Sequence, residues 1–146
     1  MLIRELQTNE YDAALALSLD VFTECGKKDF DAEGLETFKS FIYNKDIVKG
    51  LTFYGAFDGE SLIGVIATKN EGRHISLFFI KPSYHGKGIG KQLFKTAILN
   101  NPVSEMMVNS SSYAIPIYRK LGFKPICEEL VTHGMKYTPM KRTKPM

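Results

Sequence analysis

The sequence predicts an α/β domain with a mixed, mostly antiparallel central sheet flanked by helices. Residues 52–57 and 61–69 are rich in apolar side chains and are joined by Asp58-Gly59, a strong signal for a β-hairpin. Residues 74–80 form a third consecutive strand, nearly all apolar and therefore central. A strand–helix–strand unit follows it along the chain. Hairpins followed by such a unit are typical of a mixed sheet with helices packed against it.

The remaining elements are predicted from hydrophobic period, helix caps and turn residues. Asn9 and Asp31 are predicted as helix N-caps, Asn100-Asn101-Pro102 is expected to stop a helix, and Gly122 to end another. In chain order we expect a strand at 2–6, helices at 9–24 and from Asp31 onward, strands at 52–57, 61–69 and 74–80, a helix ending near 99, a strand at 105–108, a helix at 113–121, and strands at 124–131 and 136–140.

Length and composition predict one ordinary globular domain over residues 1–146. The chain is 44% hydrophobic and 24% charged, which is the balance of a folded protein. No apolar run approaches the roughly 20 residues that span a bilayer, so we expect no membrane association. Cys25 and Cys127 are too few for a disulfide framework, and the polar start does not resemble a secretory signal. These features predict a reduced, cytoplasmic setting.

Charge is unevenly distributed along the chain. Residues 1–60 have a net charge of −6, whereas residues 61–146 have +9. One hypothesis is that two ligands of opposite sign meet in one site. The alternative is that both charged sets only solvate the surface.

A glycine-rich turn carries the densest signal in the sequence. Gly86, Gly88 and Gly90 lie between a buried strand and an amphipathic helix, with Lys87 and Lys91 among them. Glycines allow close approach of the backbone, and a helix start offers unpaired N–H groups, so the pattern predicts a phosphate site. A dinucleotide fingerprint would need glycine at 91, and a nucleotide P-loop would need glycine at 85 and Ser or Thr at 92. A purely structural tight turn stays open as an alternative.

Two segments resemble the GNAT superfamily of N-acetyltransferases. The turn is similar to the family signature R/Q-x-x-G-x-G/A, with Gly88 and Gly90 at the two glycines and His85 where Arg or Gln is usual. An imidazole can also donate to phosphate. Residues 109–123 resemble the family pattern N-x-x-x-x-A-x-x-x-Y-x-K-L-G-F, with Asn109 at its start and Tyr118 at its tyrosine. The order of the two motifs also fits the family.

The resemblance implies roles for particular residues. Acetyl-coenzyme A would be the acyl donor, and the sheet would splay after strand 74–80 to hold its thioester. Tyr118 would protonate the departing thiolate, for which a phenol is a suitable acid without a metal. The residues expected to bind the cofactor are Phe79 and Ile80 through the main chain, His85, Gly86, Lys87, Gly88, Ile89, Gly90 and Lys91 at the pyrophosphate, and Asn109 and Tyr118 at the pantetheine arm.

An attacking amine must lose a proton, because alkylamines are protonated near neutral pH. His74, Glu24 and Asp29 are candidates for the base, with ordered water as the alternative. Neither the cysteines nor the histidines have metal-ligand spacing, so we expect no metal. The basic residues 141–144 carry no nucleic-acid motif, and we expect a frayed end there rather than a nucleic-acid site.

The resemblance and the charge pattern together predict an enzyme. It would move acetyl from acetyl-coenzyme A to an amine of a small cationic acceptor by direct transfer in a ternary complex. Two alternatives stay open: acetylation of a protein N-terminus or lysine, and a coenzyme A-binding sensor without catalysis. A homodimer is retained as one alternative for the oligomeric state.

Overall fold

The computed structural model describes residues 1–144, and a mixed sheet forms its framework. The elements, in chain order, are β1 (Leu2–Glu5), α1 (Tyr11–Cys25), α2 (Ala32–Ile42), α3 (Lys45–Lys49), β2 (Thr52–Asp58), β3 (Ser61–Lys69), β4 (His74–Ile80), α4 (Ile89–Asn100), β5 (Glu105–Ser110), α5 (Ile115–Lys120), β6 (Phe123–Pro125), β7 (Leu130–Thr132) and β8 (Met135–Thr143). The sheet order is β1-β2-β3-β4-β5-β8-β6, and β7 pairs with β8. Only β4 and β5 are parallel among these pairs, so the predicted fold class is confirmed.

Helices cover both faces of the sheet. Leu93 and Phe94 of α4 and Tyr118 of α5 belong to one hydrophobic core, which lies on one face. Leu15 of α1 and Ile42 of α2 belong to a second core on the opposite face. The apolar stripes predicted from period 3.6 are thus the buried faces of these helices.

An irregularity at Ser76 divides β4 into two halves of opposite phase. Ile75 pairs with Thr68 and Leu77 pairs with Ala67, so Ser76 is an extra residue opposite none. Ile75 packs in the core beneath α4, whereas Leu77 packs in the core beneath α1. In a regular strand both side chains would point to the same face. After the bulge, the residues of β4 that face α4 and α5 are therefore not the ones that a regular strand would place there.

β4 and β5 pair only at their beginnings. His74 pairs with Met107 and Ile75 pairs with Val108, and no further residues of these two strands are paired with each other. β4 continues to Ile80 and β5 to Ser110, so the two strands diverge after this point. The expected splay of the sheet is present, and it leaves one edge of the second half of β4 without a strand partner.

The C-terminal region differs from the sequence prediction. Residues 124–131 are two short strands, β6 and β7, rather than one. The helix α3 was not predicted, although Asn44 caps it through hydrogen bonds to two backbone N–H groups. The expectation of a frayed end at 141–144 is wrong, because Lys141–Thr143 continue β8 and pair with β5. Within residues 1–144 no helix has both the length and the apolarity that crossing a membrane requires.

Candidate active site

The segment between β4 and α4 turns through two glycines in the left-handed region of backbone space. Gly86 has φ +77° and Gly88 has φ +78°, and Gly88 is also the N-cap of α4. A Cβ atom added at either position would meet no protein atom within 4 Å. The backbone is therefore open on this side, and a ligand can approach it closely.

The same segment offers a row of free hydrogen-bond donors. None of the six backbone N–H groups from Gly86 to Lys91 donates to an acceptor within residues 1–144; the next one, Gln92 N, donates to Gly88 O at 3.2 Å. The N-terminal end of α4 adds the positive end of a helix dipole. Lys87 and Lys91 are exposed beside it. Free N–H groups with positive charge around them fit an anion such as pyrophosphate.

Two hydrogen bonds fasten this turn to the sheet. Tyr84 donates its hydroxyl to Asp58 Oδ2 at 2.6 Å, at the tip of the β2–β3 hairpin. His85 Nε2 lies 2.7 Å from the carbonyl oxygen of Ile80. Because a carbonyl can only accept, Nε2 carries the proton, and Nδ1 is the ring nitrogen left for a ligand. His85 therefore fastens the turn to the end of β4, while the N–H groups from Gly86 to Lys91 have no acceptor within residues 1–144.

A cleft of about 490 Å³ runs from this turn to α5; we call it the loop cleft. Seven of its residues come from the turn and the start of α4, and most of the others from α5 and the residues before it. Its lining residues are Phe78, Ile80, Tyr84, His85, Gly86, Gly88, Ile89, Gly90, Lys91, Tyr113, Ala114, Ile117, Tyr118, Lys120 and Leu121.

A second cavity of about 330 Å³, which we call the inner cavity, lies between the splayed strands, α1, α2 and the start of β8. Its apolar walls are largely aromatic, and its polar lining comes from a few side chains. The aromatic residues are Phe22, Phe38, Phe41, Phe78, Phe79, Tyr113, Tyr118 and Tyr137, and the charged or hydrogen-bonding side chains are Asp29, Thr37, Lys69, His74, Ser76, Asn109, Ser111 and Lys136.

The two cavities meet at Phe78, Tyr113, Ala114 and Tyr118, which line both. Tyr118 is only 6% exposed, and its ring packs at 6.0 Å from that of Phe78 and 5.4 Å from that of Phe123. Burial, with a smaller contribution from Tyr113, raises the pKa of Tyr118 well above its ordinary value. The phenol therefore stays protonated at neutral pH, and burial also makes it a weaker acid than an exposed tyrosine.

The predicted site residues divide between the two cavities. Ile80, His85, Gly86, Gly88, Ile89, Gly90, Lys91 and Tyr118 line the loop cleft. Phe79 and Asn109 line the inner cavity instead. Lys87 lines neither cavity, and its ammonium lies 5.4 Å from the centre of the Tyr84 ring. Tyr84 and Tyr113 were missed as site residues, because their positions depend on contacts with distant segments.

Two of the three candidate bases line the inner cavity. Asp29 is 8% exposed, and its Oδ2 accepts hydrogen bonds from Ser112 N at 3.1 Å and Ser112 Oγ at 2.9 Å. Burial, with the nearby charge of Lys69, lowers the pKa of His74, so that the imidazole is largely neutral at neutral pH. Glu24 is exposed and lines neither cavity. Residues 1–144 bring together no group of three His, Cys, Asp or Glu suited to a metal ion.

The β7–β8 hairpin closes the inner cavity against α2. Asp31 N donates to Gly134 O at 3.1 Å, and Thr37 Oγ1 donates to His133 O at 3.0 Å. A Cβ atom on Gly34 would clash with the Gly134 backbone, so this contact requires glycine in α2. Helix and hairpin therefore form a continuous wall on one side of the cavity.

An open turn with unpaired N–H groups lies beside two cavities that share Tyr118, and this arrangement fits an enzyme that binds an anionic ligand. Residues 27–144 match the family model described as the acetyltransferase (GNAT) domain. The chain belongs to the GNAT acetyltransferase family. It is accordingly an acyltransferase with acetyl-coenzyme A as its donor.

Solved structures support the fold. The GCN5-related N-acetyltransferase from Rhodopseudomonas palustris superimposes with a TM-score of 0.82 at 16% identity, covering 98% of this chain and 95% of that one. The PaiA N-acetyltransferase from Thermoplasma acidophilum, in complex with coenzyme A, has a TM-score of 0.76 at 21% identity and 98% coverage of both chains.

A shorter match is found to the peptidyl-lysine N-acetyltransferase YjaB of Salmonella typhimurium. It is 39% identical over 54 residues. The matched segment is 36% of this chain and 37% of that protein, so little more than a third of each is similar at this level.

Proposed function

We propose that the protein transfers acetyl from acetyl-coenzyme A to the amine of a small acceptor that is cationic in solution, by direct attack in a ternary complex. One observation carries the proposal: the loop cleft and the inner cavity are separate spaces that join at Tyr118. Donor and acceptor can therefore be bound together, with their reacting atoms near that hydroxyl. Such positioning removes much of the entropic barrier to reaction.

The loop cleft suits the donor. The free N–H groups from Gly86 to Lys91 would bind the pyrophosphate. Lys81 N donates to Ile63 O, so Lys81 points its backbone groups toward β3. Because this orientation alternates along an antiparallel pair, the N–H and C=O groups of Phe78 and Ile80 face away from β3. The pantetheine amides could pair with that edge as an added strand would. The Ile80 carbonyl already accepts from His85, which leaves the Phe78 groups as the freer pair.

Bound acetyl-coenzyme A supplies an acetyl thioester with a thiolate leaving group. As the acceptor nitrogen bonds to the carbonyl carbon, the C–S bond breaks, and Tyr118 gives its proton to the sulfur. The nitrogen loses one proton to a base. His74 is neutral enough to accept it, but it is four residues before Phe78 along β4, about 13 Å at ~3.3 Å per residue. The transfer would therefore pass through water.

The walls of the inner cavity favour a small acceptor. The hairpin and α2 are hydrogen-bonded to each other, so a polypeptide would have to enter end-on rather than lie in a groove. Asp29 is one of 12 acidic residues among the first 60 and the only one that lines this cavity. Lys69 and Lys136 also line the cavity, so the Asp29 carboxylate is the group within it that would receive the ammonium form of the acceptor before the nitrogen is deprotonated.

A second candidate acceptor is a lysine side chain of a protein. It is favoured by the partial similarity to a protein named as a peptidyl-lysine N-acetyltransferase. A lysine side chain is a slender aliphatic amine, and the aromatic walls of the inner cavity could surround its methylene groups.

The test is release of free coenzyme A, measured with a thiol reagent, for a panel of amines. The panel contains a polyamine, an aminoglycoside, free lysine, a lysine peptide with a blocked N-terminus and a lysine-free peptide with a free one. We expect the best small amine to exceed both peptides in kcat/KM, with intersecting initial-rate lines as a ternary complex requires. Faster turnover of a peptide would identify a protein acetyltransferase. Cofactor binding with no turnover of any amine would identify a non-catalytic sensor.

A further inference from the structure

One buried hydroxyl of the inner cavity has no hydrogen-bond partner. Ser76 Oγ is inaccessible to solvent, and among residues 1–144 it is the only buried side-chain nitrogen or oxygen atom without a partner. An unsatisfied buried hydroxyl costs about 1–3 kcal/mol. Unpaired buried polar groups are rare in proteins, and one explanation for such a group is a ligand that completes its hydrogen bond.

The fold itself does not use this hydroxyl. Ser76 is the extra residue of the β4 bulge, and the side chains on either side of it, Ile75 and Leu77, are buried in the two cores. The other buried serines, Ser18 and Ser110, donate to backbone carbonyls at 2.8 Å, as a structural serine does. An alanine at 76 would satisfy the packing without an unpaired oxygen.

The position of Ser76 relates it to the proposed reaction. It lines the inner cavity, and two residues further along β4 lies Phe78, where the inner cavity meets the loop cleft. Two residues of strand span about 6.5 Å. Ser76 therefore lies on the acceptor side, about this distance along β4 from the residue where the thioester and the acceptor would meet.

We propose that Ser76 Oγ binds the attacking amine, accepting one of its N–H groups so that the nitrogen lone pair is directed toward the thioester. This inference rests on the proposed function. The amine keeps its lone pair free because the hydroxyl oxygen acts as the acceptor. No bond is made or broken at Ser76, so its contribution is to binding and orientation of the acceptor.

The test compares Ser76→Ala with Ser18→Ala as a matched control. Both changes remove a buried hydroxyl, but Ser18 lines neither cavity, and its hydroxyl already has a partner. For Ser76→Ala we expect kcat/KM for the best acceptor to fall about three- to tenfold, the range for loss of one hydrogen bond. KM for acetyl-coenzyme A should not change, and the melting temperature should stay equal or rise. Ser18→Ala should leave the kinetics for both substrates unchanged.

The outcomes separate this inference from the proposed function. Unchanged acceptor kinetics in Ser76→Ala, in an enzyme that acetylates amines, would overturn the role of Ser76 alone. A lower melting temperature with unchanged kinetics would show that the hydroxyl is structural. A rise in KM for acetyl-coenzyme A with none for the acceptor would assign the hydroxyl to the donor. If the unmodified protein acetylates no amine, the proposed function and this role fail together.

Discussion

Replacement of Gly88 by alanine tests the anion site at the start of α4 with little disturbance of the fold. Gly88 has φ +78°, a conformation that costs an L-residue about 1–2 kcal/mol. The added Cβ would meet no protein atom within 4 Å, so no clash is added to that strain. Because this space is open and adjoins the unpaired N–H groups of residues 86–91, we expect the added methyl group to compete with a bound anion. We therefore expect a small loss of stability and a large loss of cofactor affinity.

Gly59→Ala is the matched control. Gly59 has φ +62°, also with nothing within 4 Å of an added Cβ, but it lies at the tip of the β2–β3 hairpin and lines neither cavity. The strain in the two variants should therefore be similar. At about 2–4 °C per kcal/mol for a chain near this size, each variant should melt a few degrees below the unmodified protein.

The assay is the melting temperature with and without coenzyme A, together with calorimetry for Kd. A methyl group that displaces the pyrophosphate should raise Kd at least tenfold, which is about 1.4 kcal/mol. At a ligand concentration of 100 times the original Kd, stabilisation should fall from about 2.7 to about 1.4 kcal/mol in Gly88→Ala. It should remain near 2.7 kcal/mol in Gly59→Ala. Equal affinity in the two variants would refute the placement of the pyrophosphate at this turn.

Two further predictions concern the chemistry. Tyr118→Phe should lower turnover by about 10²–10⁴-fold with little change in acetyl-coenzyme A affinity, because only the acid is lost. Its ring packing against Phe78 and Phe123 is kept, so the melting temperature should hardly move, and unchanged turnover would exclude the acid role. Lys69→Met should raise the pKa of His74, because a positive charge that disfavours imidazolium is removed; the larger effect of burial remains. If neutral His74 is the base, the decline of activity on the acid side should move to higher pH. NMR titration of the His74 imidazole would measure the change in its pKa. The control is Lys45→Met, because Lys45 is exposed and lines neither cavity. If the pKa of His74 rises while the pH profile of activity does not move, His74 is not the base.

His74 also gives the sign of one pH effect on stability. Its pKa in the folded protein lies below the ordinary value of 6.5. The unfolded chain therefore binds a proton first as the pH falls. The contribution of this group to stability should be constant above pH 6.5 and should decline as the pH falls from there toward the folded pKa.

Local sequence patterns were sufficient for most of the framework. The signal Asp58-Gly59 marks the β2–β3 hairpin, although the loop itself is Gly59-Glu60 between the paired residues Asp58 and Ser61. Residues 74–80 form the central strand, and the apolar stripe of α4 is its buried face. The anion-binding turn was also predictable. Its free N–H groups follow from closely spaced glycines at a helix start, which is a property of consecutive residues.

The tertiary structure alone decided how the site is completed. Asp29 is joined to Ser112 across 83 residues, and Tyr84 to Asp58 across 26. Residues 141–143 become a strand because β5 offers them a partner, although their own side chains are mostly charged. The distribution of charge along the sequence did not predict which charged residues line the inner cavity. Asp29, Lys69 and Lys136 meet there because the fold brings distant segments together.

Ser76 shows most directly why the sequence pattern did not predict the whole site. A period-2 pattern predicts which residues of a strand share a face, but it does not locate an extra residue, because the bulge is defined only by pairing with the neighbouring strand. The insertion at Ser76 directs Phe78 toward Tyr118 and leaves one hydroxyl unpaired in the inner cavity. The sequence by itself determined the strand, the turn and the helix; contact between strands determined what faces the reacting groups.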